Sequence, residues 1–332
     1  MVDRSEQPFQ APPPPAYAEP LAPRPVKLRP VAIILFVLGL LILLGGIAKF
    51  IPGGPGTGGA VAFFGALLFA FSFIRLPEVA ADAEPPMTPL QKVASIFYEP
   101  SRVFRNLRIH PRWTTAFLII ALLNVVYTNA FMRRLTPERI ISHVTEKLAE
   151  SRFVPPEAVE KAREQQMEQA TNPVQRVGTA IKSVVGVFVF IAFVAALYFL
   201  VILAFGGKIN YWQSLAVTFY ATLPVVVIQK LLSLVILYIK DPEDIHPILG
   251  QETLVQDNLG VLFTPADHPV LFVAATSIGV LSFYGLWLKA RGLYYGGTRV
   301  SSTAAWSSAV IIWLLGLTLA MIFTAFFPSF IS

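Results

Sequence analysis

Seven stretches of the chain hold no Asp, Glu, Lys or Arg and are dominated by apolar side chains: 30–48, 50–74, 113–132, 183–207, 209–229, 268–288 and 300–332. Each is at least 19 residues long. At a rise of 1.5 Å per residue, about 20 apolar residues in a helix cross the ~30 Å hydrocarbon layer of a bilayer. The pattern predicts an all-α, polytopic helical transmembrane bundle of about seven spans. Residues 31–76 form an N-terminal hairpin of two spans. Five more follow at 113–132, 178–205, 211–238, 269–288 and 305–327.

The segments between the spans have characters of their own. Residues 1–30 hold nine prolines and few aliphatic residues, so this segment reads as a solvated, partly polyproline-II tail. Its Pro14-Pro15-Ala16-Tyr17 string fits the PPxY pattern that WW domains read. The Gly-rich turn at 52–59 has no Lys after its glycines, which removes a phosphate-loop reading. In the second span Ala62, Ala66 and Ala70 recur every four residues, and on the last span Gly316, Ala320 and Thr324 do the same. Small side chains at that spacing let another helix approach closely, so both stripes are expected to face other helices. Residues 77–112 form a basic amphipathic surface segment, in which Val93, Ile96, Phe97, Val103, Phe104 and Leu107 alternate with Lys92, Arg102, Arg105, Arg108 and Arg112. The expectation is helices lying flat on the membrane, with the arginines toward anionic headgroups. A polar insert at 133–177 carries two helix starts, Thr136-Pro137-Glu138 and Pro155-Pro156-Glu157, predicting amphipathic helices over 137–151 and 156–170.

Composition agrees with a membrane protein. Apolar residues make up 55% of the 332, and charged residues only 14%, against about 25% in soluble domains. Net charge is +6, which in this setting reads as charge bias across a bilayer and contact with anionic lipid, with no nucleic-acid partner. There is no Cys, so disulfides and thiolate metal sites are excluded. With the N-terminus inside, the inner segments carry 14 Lys/Arg against 7 acids and the outer segments 11 against 13. The positive-inside rule then predicts a cytoplasmic N-terminus and an outside C-terminus.

Enzyme chemistry finds little footing. No His-Glu-x-x-His or Gly-x-Ser-x-Gly motif occurs, and no span contains Asp or Glu, so no catalytic residue, metal or cofactor is assigned. Asp241, Glu243, Asp244 and His246 form an acidic cluster that reads as a solvated loop. The one ionisable group inside a span is Lys230, preceded by Gln229 and by Pro224, which leaves the Tyr220 carbonyl without its helical donor. A charge at mid-bilayer costs roughly 2.5–3.5 kcal/mol on insertion scales. Lys230 lies toward one end of its span, so its stem is expected to snorkel to the far-side headgroups. The rival reading makes Lys230, Gln229 and the Pro224 region, with Ser214, Thr218 and Thr222, part of a solute pathway.

Three ordered landmarks carry a family resemblance. The stretch FYEPSRVFRNLRIHPRW from Phe97 to Trp113 leads into a span. Gly206-Gly207-Lys208 and Tyr211-Trp212-Gln213-Ser214-Leu215 lead into the helix with Pro224, and Asn258-Leu259-Gly260 precedes the next span. Together these resemble the bacterial branch of the Yip-domain family, named after eukaryotic proteins that interact with Rab/Ypt GTPases, over about 90–327. The resemblance implies five packed spans with a cytoplasmic N-terminus, in a bacterial inner (plasma) membrane. It further implies a non-enzymatic scaffold or adaptor in membrane organisation, with a membrane or cytoplasmic protein partner. The alternative from another class is a small-solute transporter or channel using the kinked fifth span. One departure stands out: many relatives carry an Asp-aromatic pattern in the fourth domain span, where this chain reads Ser277-Ile278-Gly279-Val280-Leu281-Ser282-Phe283-Tyr284. Nothing in the sequence pattern specifies an oligomeric state.

Overall fold

In lipid a backbone must satisfy its own hydrogen bonds, so long apolar stretches become helices. A computed structural model of the chain describes residues 28–77, 83–150 and 154–328. The Pro-rich tail with Pro14-Pro15-Ala16-Tyr17 lies outside the described residues. Among the described residues six helices are long and apolar enough to cross a membrane: α1 (Arg29–Ile47), α2 (Gly54–Phe71), α5 (Thr114–Leu135), α8 (Pro173–Ala204), α9 (Tyr211–Ile239) and α13 (Ser302–Phe326). Shorter helices lie between them: α3 (Pro89–Tyr98), α4 (Pro100–Ile109), α6 (Pro137–Ala149), α7 (Pro156–Thr171), α10 (Leu249–Glu252), α11 (Pro269–Thr276) and α12 (Val280–Gly296).

The first hairpin is held by backbone contact. A Cβ placed on Gly58 would lie 2.3 Å from the Leu43 nitrogen, one on Gly65 2.4 Å from that of Phe36, and one on Gly39 2.2 Å from that of Ala62. The turn at 48–53 closes with Gly53 at φ 69°, a left-handed conformation that costs glycine little. This corrects the alanine stripe. Ala62 sits in the α1 contact, but Ala66 and Ala70 are exposed. Glycines offset from the alanines make the close approach, because removing Cβ altogether brings backbones nearer than a methyl allows.

α9 is the centre of the bundle, touched by α3, α4, α5, α8 and α12. Trp113, Phe117, Phe188 and Phe219 interlock at centroid distances of 5.1 to 6.0 Å, joining α5, α8 and α9. At one end, here the near end, Trp212 Nε1 donates to the Ile74 carbonyl at 2.9 Å and Asn210 Nδ2 to that of Arg75 at 3.0 Å. The Arg29 guanidinium lies over Phe73, so α1 also starts at this end. At the far end, Arg134 of α5 reaches the last carbonyls of α9, and the α1–α2 turn lies against Gln175 of α8.

Three expectations meet corrections here. The sixth span is not one helix: 269–288 breaks at Ser277–Gly279 into α11 and α12. The break is stitched to the preceding loop, with Leu259 N donating to the Ile278 carbonyl at 3.0 Å and Leu281 N to Asp257 Oδ2 at 2.6 Å. A carboxylate at the first turn of α12 suits the positive end of the helix dipole. Secondly, Gly316 and Ala320 are exposed, and a Cβ on Gly316 would meet nothing within 4 Å; only Thr324 of that stripe is buried. Thirdly, Pro137 and Pro156 do start α6 and α7, but the Thr136 side chain makes no cap bond, and its φ is 65°.

Candidate functional site

Polar chemistry concentrates at the two ends of α9. At the near end, Thr88 opens α3 with a reciprocal cap: its hydroxyl accepts from Gln91 N at 3.3 Å, and Gln91 Oε1 accepts from Thr88 N at 3.0 Å. Pro100 starts α4. Val103, Phe104 and Leu107 are fully buried, and at helical spacing this turns Arg102, Arg105 and Arg108 outward; they and Arg112 are all exposed. The apolar face of α4 is covered by protein: it packs on α12, α9 and α3. Backbone carbonyls fix it in place. Gln213 Nε2 donates to the Arg108 carbonyl at 2.7 Å, while Asn106 accepts from Met87 N at 3.2 Å and donates to the Pro85 carbonyl at 3.1 Å.

Lys92 is the exception on this basic surface. It is 1% exposed, with Nζ 3.5 Å from the His110 carbonyl. Burial, and secondarily the Arg112 charge, hold its ammonium down to about 8.

The far-end cluster is built on Lys230. The side chain is 8% exposed, and its ammonium donates to the Glu252 carbonyl at 2.5 Å while lying 4.5 Å from the Tyr127 ring centroid. The ammonium therefore has a carbonyl and an aromatic face as partners, where the sequence pointed to headgroups. Ser233, nearly one turn on, lies 3.1 Å from Thr253 Oγ1 and accepts from Leu254 N at 2.9 Å. The Tyr127 hydroxyl donates to the Gly250 carbonyl. Together these contacts hold residues 250–254 against α5 and α9. Gln229 is half-buried beside the cluster, and Pro224 lies buried inside a helix that runs on as one element.

Arg139 of α6 extends the same fastening, donating to the carbonyls of Pro242, Glu243 and Ile245 at 2.5, 3.1 and 3.4 Å. His246 Nδ1 accepts from Ile248 N and Leu249 N, both at 3.2 Å, and so caps α10. Burial first, then His143 at 5.2 Å ring to ring and Lys147, hold the His246 imidazole below its ordinary 6.5. The acidic loop thus turns its carbonyls to Arg139. Among the described residues no group of three or more His, Asp or Glu is placed to hold a metal ion.

Of the residues singled out by sequence, Lys230 is at the centre of a cluster, and the four arginines share one surface. Tyr127, Ser233, Thr253, Arg134 and Arg139 escaped sequence reasoning. Their partners are mostly main-chain groups up to 123 residues away, which leave no mark in a side-chain pattern.

No curated protein and no solved structure matches the chain. The family model of the Yip1 domain matches residues 94–323, taking in α4 through most of α13 and both ends of α9; the chain belongs to the Yip1 domain family and is a multi-pass membrane protein.

Proposed function

We propose that this protein is a non-enzymatic membrane scaffold or adaptor, whose basic near end meets anionic headgroups and a protein partner. The observation that carries the reading is how the polar side chains within the spans are used. Ser214 donates to the Ala195 carbonyl at 2.7 Å, Tyr211 to that of Ala192 at 3.2 Å, Thr218 to that of Ser214 at 2.8 Å and Ser308 to that of Ala304 at 2.7 Å. Groups spent in this way join helices or satisfy their own backbone; they are not left to line a solute path. Lys230 fits the same account, with its ammonium taken up by a carbonyl and a ring. The positive-inside count supports placing the basic end in the cytoplasm.

The test pairs two measurements. Affinity purification from native membranes, with lipid and protein identification, should recover a defined partner, and replacing Arg102, Arg108 and Arg112 by Gln together should lose it. Lys230→Met should insert, fold and still complement a deletion phenotype. A folded Lys230→Met that fails to complement, with no partner recovered, would replace the scaffold by the transporter reading.

A further inference from the structure

Two arginines from different helices converge on one tyrosine at the near end. The Arg105 guanidinium of α4 lies 5.8 Å from the Tyr295 ring centroid, and that of Arg291, on α12, lies 5.2 Å from the same centroid. Arg291 also lies 5.6 Å from the Trp287 ring. Among the described residues neither arginine forms an ion pair or hydrogen bond, whereas Arg102 pairs with Glu99. Arg291 Nε is shut off from solvent and has no acceptor. A buried guanidinium N–H without an acceptor costs free energy that a bound anion can recover, and two cations beside one ring repel until an anion joins them.

The surroundings say which anion. Tyr294 and Tyr295 on the last turn of α12, Trp287 two turns before them and Trp306 on the first turns of α13 are amphipathic aromatics, and Tyr294 and Trp306 are 41% exposed. Belts of such residues mark the headgroup level of a bilayer. Arginine presents a planar fork of donors that matches phosphate oxygens, and both guanidiniums lie within 6 Å of the same Tyr295 ring centroid.

We propose that Arg105, Tyr295 and Arg291 form a binding site for the phosphate of an anionic phospholipid. The site rests on the headgroup-facing part of the reading above but not on the scaffold role. It differs from a diffuse basic surface in needing these two guanidiniums and no others. Arg291 donates from the α12 side, Arg105 closes from α4, and Tyr295 holds both in place by their cation–π contacts.

The test uses the full chain in neutral detergent and follows melting and native mass spectrometry as phosphatidylglycerol, phosphatidylcholine or inorganic phosphate is added. Phosphatidylglycerol alone should raise the melting temperature and appear as a bound adduct. Arg105→Gln and Arg291→Gln should each weaken its apparent affinity about fivefold, as expected for loss of one cation near a membrane surface. Arg102→Gln, whose cation is already paired with Glu99, should change it less than twofold. Arg291→Lys, which keeps the charge and loses the fork, should fall between. Equal losses in Arg102→Gln and Arg291→Gln would overturn the site and leave only a diffuse surface. No preference for phosphatidylglycerol over phosphatidylcholine would overturn the headgroup reading as well, and a full shift with inorganic phosphate would make this a free-anion site. If Arg291→Gln does not fold, the exposed Arg105 carries the test.

Discussion

The two halves of α9 are one helix with two different jobs. From Tyr211 to Ala221 every residue is buried, with α4, α5, α8 and α12 among the helices against it. Beyond Pro224 the helix opens: Leu231, Leu232, Val235, Tyr238 and Ile239 are exposed. Only Lys230, Ser233 and Leu237 are buried there, a single stripe at helical spacing. Apolar content does not separate the halves. What differs is the kind of cover. The first half is enclosed by rings and aliphatic chains that fit by shape, and the second carries one narrow strip, polar at Lys230 and Ser233 and apolar at Leu237, on which a loop is hung. Packing by shape resists change everywhere along its length, whereas a loop held by a few directional bonds can be released at one point without disturbing the rest.

The largest break in this comparison should come from Phe219→Ala. Its ring meets Trp113, Phe117 and Phe188, and emptying that space should cost about 3–5 kcal/mol. Thermal melting in detergent should show it directly. An unchanged melting temperature would mean the ring cluster does not hold the three helices together.

Lys230→Met should act locally. It removes a charged hydrogen bond, worth about 1.5–3 kcal/mol, but also removes a buried charge, so global melting should move little. Protease cleavage and hydrogen exchange over 244–256 should rise instead. If that loop stays as protected as in the parent, Lys230 is not its anchor.

Acid should loosen the same loop. The folded state holds His246 below 6.5, so the unfolded chain binds the extra proton first, and stability falls as pH drops through 6.5 toward the folded value. Above 6.5 this contribution is fully present. Protonation also takes the Nδ1 lone pair away from Ile248 N and Leu249 N. Exchange over 246–252 should accelerate from pH 7 to pH 5 in the parent, and His246→Asn should flatten that profile.

The smallest effect is expected outside both halves. Gly316→Leu places its side chain in open space, so melting of the monomer should shift by less than about 0.5 kcal/mol. A large drop would reveal a helix packed on that face.

The near half of α9 was far more legible in the sequence than the far half, for a physical reason. Length and apolarity mark spans because lipid imposes a thickness, and the 3.6-residue period marks the inner face of α4 because a helix has one. Both are local signals. The break at Ser277–Gly279 has only a weak local mark, a serine and a glycine within an apolar stretch, and its partners Asp257 and Leu259 come from the preceding loop. Likewise Lys230 was visible as a lone charge, while its partner is the main-chain carbonyl of Glu252. The face of α2 is ambiguous in sequence because glycines at 54, 58 and 65 and alanines at 62, 66 and 70 both offer small side chains, and only the partner helix chooses between them.

The close backbone contact in the first hairpin has a consequence for how the chain enters the membrane. α2 is the least apolar of the six long helices, because Gly54, Gly56, Gly58, Gly59 and Gly65 replace residues that would favour lipid. α1, among the most apolar, covers Gly54, Gly58 and Gly65 of these through Gly46, Leu43 and Phe36. A newly made α2 gains most by leaving the translocation channel already docked on α1. The turn at 48–53 is short enough to keep the two side by side, which predicts that the hairpin enters lipid as one unit.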